Sequence, residues 1–472
     1  MKISKIVLVL LAASALFFFY SFVTEKQQIP PAKTTRELYL QHCATCHGEN
    51  LDRFAARQWV YGNSVKEVSS TIKNGRPPIG MPGYAKVMSD EQIAAMANYM
   101  ITEVAKVPAN EPSPFQVKDI VKSAGFSFVL KEVVGENLSI PWGLAFLPNG
   151  DMLVTEKSGK LYQVSKGKMT EIEGLPKITV KGQGGLMEVL VHPKFSVNKL
   201  IYISYADGES SNMVNTSIAK AELRNGKLVN LKRIVHALPN SNSGVHFGCR
   251  MFFDKDGYLF FSIGERGTKT NAQDLKNYCG KIHRIHDDGS IPADNPFVKT
   301  PGAVGSIWSY GHRNPQGLWY DKKADVIWEN EHGPKGGDEL NIIKKGKNYG
   351  WPVITFGVDY DGTIISPDTA KVGMEQPVYY WIPSIGPSSL TRVTSPIYKG
   401  WQGDFLSGSL SFDSLDRLIM KGNKVIGHEK LLPKIGRVRN VVEGPDGYIY
   451  VAVERSGKIY KLVPTTNLDA KK

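Results

Sequence analysis

Cysteine is scarce, with four in 472 residues. That excludes a fold stapled together by disulfides, which needs a much denser supply. Also missing are any dense lysine–arginine run and any nucleic-acid-binding motif, so the formal net charge of +13 does not point to nucleic acid. It describes a basic surface, either solvated or turned toward acidic lipid or an acidic partner protein. Helical periodicity is scarce over the larger, C-terminal part, which argues against a helical bundle there. Apolar residues make up 42% and aromatics 10%, the composition of a globular protein.

One long apolar run exists. It extends from Ile6 to Val23 behind Lys2 and Lys5, and residues 1–24 read as a signal peptide or signal anchor. No small-residue cleavage site follows, since Phe17, Phe18, Phe19 and Tyr20 are bulky, and no early cysteine offers a lipidation site. An uncleaved anchor is expected, near the lower length for a bilayer span, with the positive end inside and the body exported to the periplasm or its equivalent.

Two of the cysteines stand in Cys43-Ala44-Thr45-Cys46-His47, a C-x-x-C-H sequence. Two thiols one helical turn apart can bond to both vinyl groups of a haem, and the following His can take its iron. A c-type haem needs a second axial ligand, commonly a methionine sulfur. The loop Gly75-Arg76-Pro77-Pro78-Ile79-Gly80-Met81-Pro82-Gly83 supplies one, because its Gly and Pro residues forbid helix and aim Met81 from stiff backbone. Met88, Met96 and Met100 are rivals, but Met88 sits just before a helix cap and the other two lie at core spacing. Residues 34–106 therefore resemble a small all-α class I cytochrome c domain. Residues 107–124, opened by proline-rich Val107 to Pro114, read as a linker.

The remainder, residues 125–464, carries an internal repeat. Trp142 to Glu156 is an apolar run, an Asn-Gly turn and a second apolar run. The phrase returns at Arg250 to Ser262, near Gly317 to Glu329, and at Val441 to Val451. Such hairpins, repeated among many short strands, predict a mainly β fold, a six-bladed β-propeller, with a pair of β-sandwiches as the alternative. In a propeller, loops from every blade meet at one mouth of the channel, so polar residues distant in sequence can share a site.

The loops and turns of this domain carry a resemblance. Pro141-Trp142-Gly143-Leu144, Gln183-Gly184-Gly185-Leu186, Gly311-His312-Arg313-Asn314-Pro315-Gln316-Gly317, Gly337-Asp338-Glu339-Leu340-Asn341, Asn348-Tyr349-Gly350-Trp351-Pro352 and Gly436-Arg437-Val438-Arg439 resemble the quinoprotein sugar dehydrogenases. That family comprises soluble glucose, aldose sugar and sorbosone dehydrogenases, propellers that bind pyrroloquinoline quinone (PQQ) and calcium. The resemblance implies His246 as the base taking the sugar's hydroxyl proton, a task suited to an imidazole. It implies Arg313, Arg437 and Arg439, with Asn314, as anchors for the carboxylates of PQQ. It implies the carbonyls of Gly333 and Pro334 on the PQQ calcium, and Asp338, Glu339 and Tyr349 around a second calcium. Gln183 and Trp381 would face the sugar.

The chain departs from the family at three places. No lysine occurs in Gly408 to Arg417, where some members place one on the quinone; Val245 stands where an acidic residue precedes the base in soluble glucose dehydrogenase; and Cys249 replaces a usual glycine. Cys249 and Cys279 are left as either a disulfide or two buried thiols. The whole predicts an exported quinohaemoprotein that oxidises a sugar, passes electrons to its own haem c and thence to an external or respiratory acceptor. The alternatives are a calcium-dependent lactonase-like hydrolase and a non-catalytic carbohydrate-binding or scaffold propeller beside a cytochrome.

Overall fold

A computed structural model of the chain describes residues 33–47, 51, 59, 61–76, 81–106, 119–135, 138–210 and 212–467. The apolar segment 1–24 lies outside them. Among the described residues no helix is long and apolar enough to cross a membrane.

The N-terminal domain is helical. Helix α1 (Thr35–His42) begins at a capping box, in which the Thr34 hydroxyl accepts from Glu37 N while the Glu37 carboxylate accepts from Thr34 N. The short α2 (Ala44–His47) carries the haem-motif histidine, and His47 N donates to Cys43 O at 2.9 Å. Helix α3 (Val65–Asn74) starts with a second capping box, Ser64 with Glu67, and α4 (Asp90–Lys106) closes the domain. Ile93, Met96, Ala97, Met100 and Val104 form the buried face of α4, against Tyr39, Val68, Ile72 and Tyr84.

The C-terminal domain is a six-bladed β-propeller. Five sheets have four antiparallel strands and one has five. In chain order the innermost strands are Pro141–Phe146, Leu186–Val191, Met251–Phe253, Pro315–Asp321, Pro387–Arg392 and Val438–Glu443, one for each of blades one to six. Blade six closes the ring. Its last C-terminal strand, Lys458–Pro464, pairs with Ser127–Val134 from the start of the domain, so no sheet edge is left for the ring to open along. The segment read as linker ends inside this blade, because Val121–Lys122 pairs with Ser127 and Phe128. Ala124 is tied to blade five as well: its carbonyl accepts from Trp401 Nε1 and Arg417 Nη1.

The repeated phrase is the inner hairpin of blades one, three, four and six. In blade one Gly150 turns the chain with φ of 88°, a left-handed value natural to glycine, and Gly150 N donates to Leu147 O. Two sandwiches would leave open edges and separate cores. Here blade packs on blade, as where Phe128, Tyr398, Trp401, Leu406, Leu415 and Leu462 share one buried cluster across blades five and six.

Candidate active site

Every innermost strand starts at the same end of the ring, and every second strand finishes there. An acid recurs at the finish of the second strand in four blades: Glu156, Glu265, Glu331 and Glu454. Each grips the loop that leads into an innermost strand. Glu156 accepts from Ser139 N and Ile140 N. Glu331 Oε2 accepts from Arg313 N at 2.5 Å and Asn314 N at 3.3 Å. Glu265 Oε1 lies 2.7 Å from His246 Nδ1, and Glu454 takes the Nε–H groups of Arg437 and Arg439 at 2.6 Å each.

His246 is 9% exposed and sits at φ of 57°, an unusual backbone angle for a bulky residue. Its amide donates to Gln183 Oε1 at 2.8 Å, so Gln183 from the blade-two loop braces the histidine loop. Gly264 permits the close approach: a Cβ there would meet His246 O at 2.3 Å and Asn314 Oδ1 at 2.7 Å. Burial pushes the imidazole pKa down, and Arg313 and Arg266 push the same way against Glu265, so the ring is held below its ordinary value. Burial would raise Glu265, but His246, Arg313 and Arg266 outweigh it and hold it below the usual carboxylate range. An ionised carboxylate only accepts, so Nδ1 carries the proton and Nε2 is left as the basic nitrogen.

The arginines surround this base. Arg313 is 6% exposed, lies over the Trp351 ring and donates from Nη1 to His332 O at 3.2 Å. Its Nε is buried with no partner, a donor left over for an anionic ligand such as a carboxylate. Asn314 is fully buried; its Nδ2 donates to His332 Nδ1 and its Oδ1 accepts from Gly248 N. Burial, then Arg313, His246 and Arg439, hold His332 well below its ordinary pKa, which places groups from blades three, four and six around one imidazole. Arg439 reaches Gln316 Oε1 at 3.5 Å, and Arg437 Nη1 donates to Leu410 O.

Beside Arg313 lies an acidic cavity of about 10 Å³, room for one water or one bare ion. Gly333, Glu331, Glu339 and Tyr349 line it. His312, Glu329 and Glu331 offer ligand atoms within 4.8 Å of one another. Asn341 Nδ2 donates to Glu329 at 3.0 Å and to Glu339 at 3.3 Å. Burial and the charge of Glu331 push both glutamates well above the usual range. Glu329 Oε1 and Asn341 Oδ1 are buried without partners. Oxygen ligands with surplus negative charge fit a hard divalent cation. Asp338 faces elsewhere: its carboxylate accepts from Gly333 N at 2.7 Å and Gly386 N at 2.8 Å, and burial raises it to about 7. Tyr349 stacks on His312 at 4.6 Å, with its hydroxyl on Ile342 O. Pro334 O accepts from Ser384 Oγ at 3.0 Å.

The backbone of Trp381 reaches this end, where its carbonyl accepts from Gly337 N at 2.8 Å, but its side chain turns into the ring wall. It is 2% exposed and packs with Trp328, Leu340 and Ile385 inside the ring wall, while its neighbour Tyr380 is 43% exposed. Sequence reasoning missed Glu265, Glu329 and Glu454; for Glu265 and Glu454 the signal was an acid just past an apolar second strand. Cys249 and Cys279 are free, fully buried thiols, Cys249 on Met187 Sδ and Cys279 on Asn215 Nδ2.

In the cytochrome domain Cys43 is 7% exposed. Met81 is half-buried, and a two-way backbone bridge to Arg76 holds it, at 2.7 and 3.2 Å. Met88, Met96 and Met100 are 4%, 0% and 4% exposed and engaged in the helical core. The Cys46 side chain and residues 77–80 lie outside the described set.

A six-bladed propeller that matches the glucose/sorbosone dehydrogenase family model is a sugar-dehydrogenase-type oxidoreductase. The family model "Glucose / Sorbosone dehydrogenase" matches residues 138–461, and "Cytochrome C oxidase, cbb3-type, subunit III" matches residues 30–100. The chain belongs to the glucose/sorbosone dehydrogenase family and carries an N-terminal haem-binding cytochrome c domain. It is 40% identical over 342 residues to the aldose sugar dehydrogenase of Escherichia coli, covering 71% of this chain and 92% of that one. The apo-form crystal structure of the soluble E. coli aldose sugar dehydrogenase superposes with a TM-score of 0.69 at 37% identity, over 71% of this chain and 99% of that one. The PQQ-bound aldose sugar dehydrogenase from Streptomyces coelicolor superposes at 0.60 with 27% identity, over 71% and 98%.

Proposed function

We propose that the propeller oxidises an aldose or related sugar at its anomeric carbon with PQQ and calcium, and that the electrons pass to the haem of the same chain and on to an external or respiratory acceptor. The observation that carries this is the meeting, at one mouth, of the His246–Glu265 pair with Arg313, Arg437 and Arg439. The bound quinone would accept the hydride that leaves the anomeric carbon. His246 Nε2 takes the hydroxyl proton, and Glu265 fixes the tautomer and stabilises the imidazolium that forms. Arg313, Arg437 and Arg439, with Asn314 beside them, bind and orient the carboxylates. Gln183 holds the histidine loop from the sugar side. Glu329, Glu331 and Glu339 suit a calcium ion next to the Gly333–Pro334 loop.

His47 and Met81 would ligate the haem iron, with Cys43 and Cys46 as its covalent anchors. A tether between donor and acceptor domains supplies high effective concentration for the transfer. Covalent haem attachment suits export, with residues 1–24 as the anchor. The test is to load purified full-length protein with PQQ and Ca²⁺, add a panel of sugars and follow the haem absorbance. Reduction by at least one sugar is expected. A haem that stays oxidised with every sugar overturns the reading.

A further inference from the structure

We infer that Lys157, just past the second strand of blade one, supplies a third cation to the anionic ligand of the Arg437–Arg439 pair and so is a binding residue for the carboxylate-bearing cofactor. The inference rests on the reading of that mouth as a quinone site.

Lys157 is held in place by its backbone. Its amide donates to Ile140 O and its carbonyl accepts from Leu186 N, each at 3.1 Å, so it bridges the loops that open blades one and two. Its stem passes over Gly185, where a Cβ would meet Lys157 O at 2.1 Å and Cγ at 2.8 Å. The ammonium donates to a neutral acceptor, Gly182 O, at 2.5 Å. Among the described residues no carboxylate lies within ion-pair distance of it.

The charges around it do not balance. The ammonium's partner, Gly182, directly precedes Gln183, which braces the His246 loop at the same mouth; burial disfavours the ammonium most, Glu454 favours it, and Arg439, then Arg437, oppose it. Glu454 is already engaged by both guanidiniums. Glu156, the other acid acting on Lys157, is spent on Ser139 N and Ile140 N. Counting both acids, three cations still exceed two anions around this half-buried ammonium. A half-buried ammonium held by a neutral carbonyl leaves room for a ligand that completes the balance. A carboxylate of the cofactor does so.

Arg417, the one lysine or arginine in the blade-five segment Gly408 to Arg417, is engaged elsewhere. Arg417 is tied to Asp404 at 2.7 Å and Glu429 at 2.8 Å, over Trp401. The lysine missing from Gly408 to Arg417 is therefore not replaced within its own segment. Lys157 brings a compact ammonium to the mouth from blade one, the far side of Glu454.

The experiment titrates full-length apo-protein with PQQ in saturating Ca²⁺, reading tryptophan fluorescence over a series of salt concentrations. Lys157→Met should weaken PQQ binding about tenfold to a hundredfold and flatten the dependence of affinity on salt, as loss of one charge contact does. Lys157→Arg should recover most of the affinity. The melting temperature of apo Lys157→Met should equal or exceed that of the wild type, since an unmatched charge has gone; a fall would mean a structural role instead and would overturn the inference. Equal affinity and equal salt dependence in Lys157→Met would overturn it too, leaving the parent reading intact. A wild type that binds no PQQ would remove both.

Discussion

His246 Nδ1 and Glu265 Oε1 stand 2.7 Å apart, both side chains buried, on neighbouring stretches of blade three. The carboxylate fixes which nitrogen is basic. Glu265→Gln keeps the shape but can present its NH₂ to Nδ1 and favour the wrong tautomer. Turnover should fall about a thousandfold. His246→Ala should lose turnover by several orders of magnitude yet still bind PQQ, measured by fluorescence titration. The pH profile carries a sign. The imidazole is held below its ordinary value and works unprotonated, so the rate should rise with pH and level off below pH 6.5. Glu265 is the group that raises it, so in Glu265→Gln the acid limb should move to still lower pH. Steady-state rates across pH read both effects.

Glu454 neutralises two guanidiniums at once, and burial makes its loss expensive. Glu454→Gln leaves both cations without a counter-charge and should cost about 3–5 kcal/mol of stability. Despite burial, Arg439 and Arg437 hold the carboxyl far below its ordinary 4.5. A depressed folded-state pKa contributes stability that is full above the ordinary value and fades as pH falls through the folded one. The gap between wild type and variant should therefore be widest above about pH 5 and narrow in acid. Urea melts at several pH values measure it.

Much of this architecture was legible in the residues. Blades one, three, four and six announce themselves because each inner hairpin has a tight turn carrying Gly or an Asp cluster between apolar runs. Blades two and five do not. Their inner strands are joined through the short helix Phe195–Asn198 and through residues 393–404, so no turn signal marks the hairpin. His246 and the arginines stand out as motif residues. Their acids do not, because a glutamate after a strand resembles any solvated end until the ring closes over it. Asp338 and Trp381 show the same limit: adjacency in sequence to a cavity does not say which way a side chain turns from the strand.

The acidic cavity predicts a stability that depends on metal. Glu329 and Glu339 are pushed well above their ordinary 4.5 by burial and by Glu331. A raised carboxylate gives stability that is full below the ordinary value and falls as pH climbs toward the raised one. Metal-free protein should thus melt at lower temperature as pH rises from about 5 to 8. Ca²⁺ should reverse the loss, by about 2.7 kcal/mol at a hundredfold its dissociation constant. Glu339→Gln should melt higher than wild type in EDTA at neutral pH and gain little from Ca²⁺. Scanning calorimetry with and without Ca²⁺ decides it, and a wild type indifferent to EDTA would leave the cavity as a water site.

Met81 differs from its rivals in what its side chain is already doing. Met96 has no exposed surface and fills the helical core, so Met96→Leu is nearly volume-conserving and should cost less than about 1.5 kcal/mol with the haem spectrum unchanged. Met81 is half-buried on a loop pinned by Arg76, with backbone hydrogen bonds in both directions. A thioether ligand raises the potential of haem iron. Met81→Ala should therefore lower that potential and alter the visible spectrum, while sugar-dependent reduction of an added small-molecule acceptor continues at the wild-type rate. Potentiometric titration of the two variants separates the cases: an unchanged potential in Met81→Ala with a shifted one in Met88→Leu or Met96→Leu would move the axial ligand from the loop into the core.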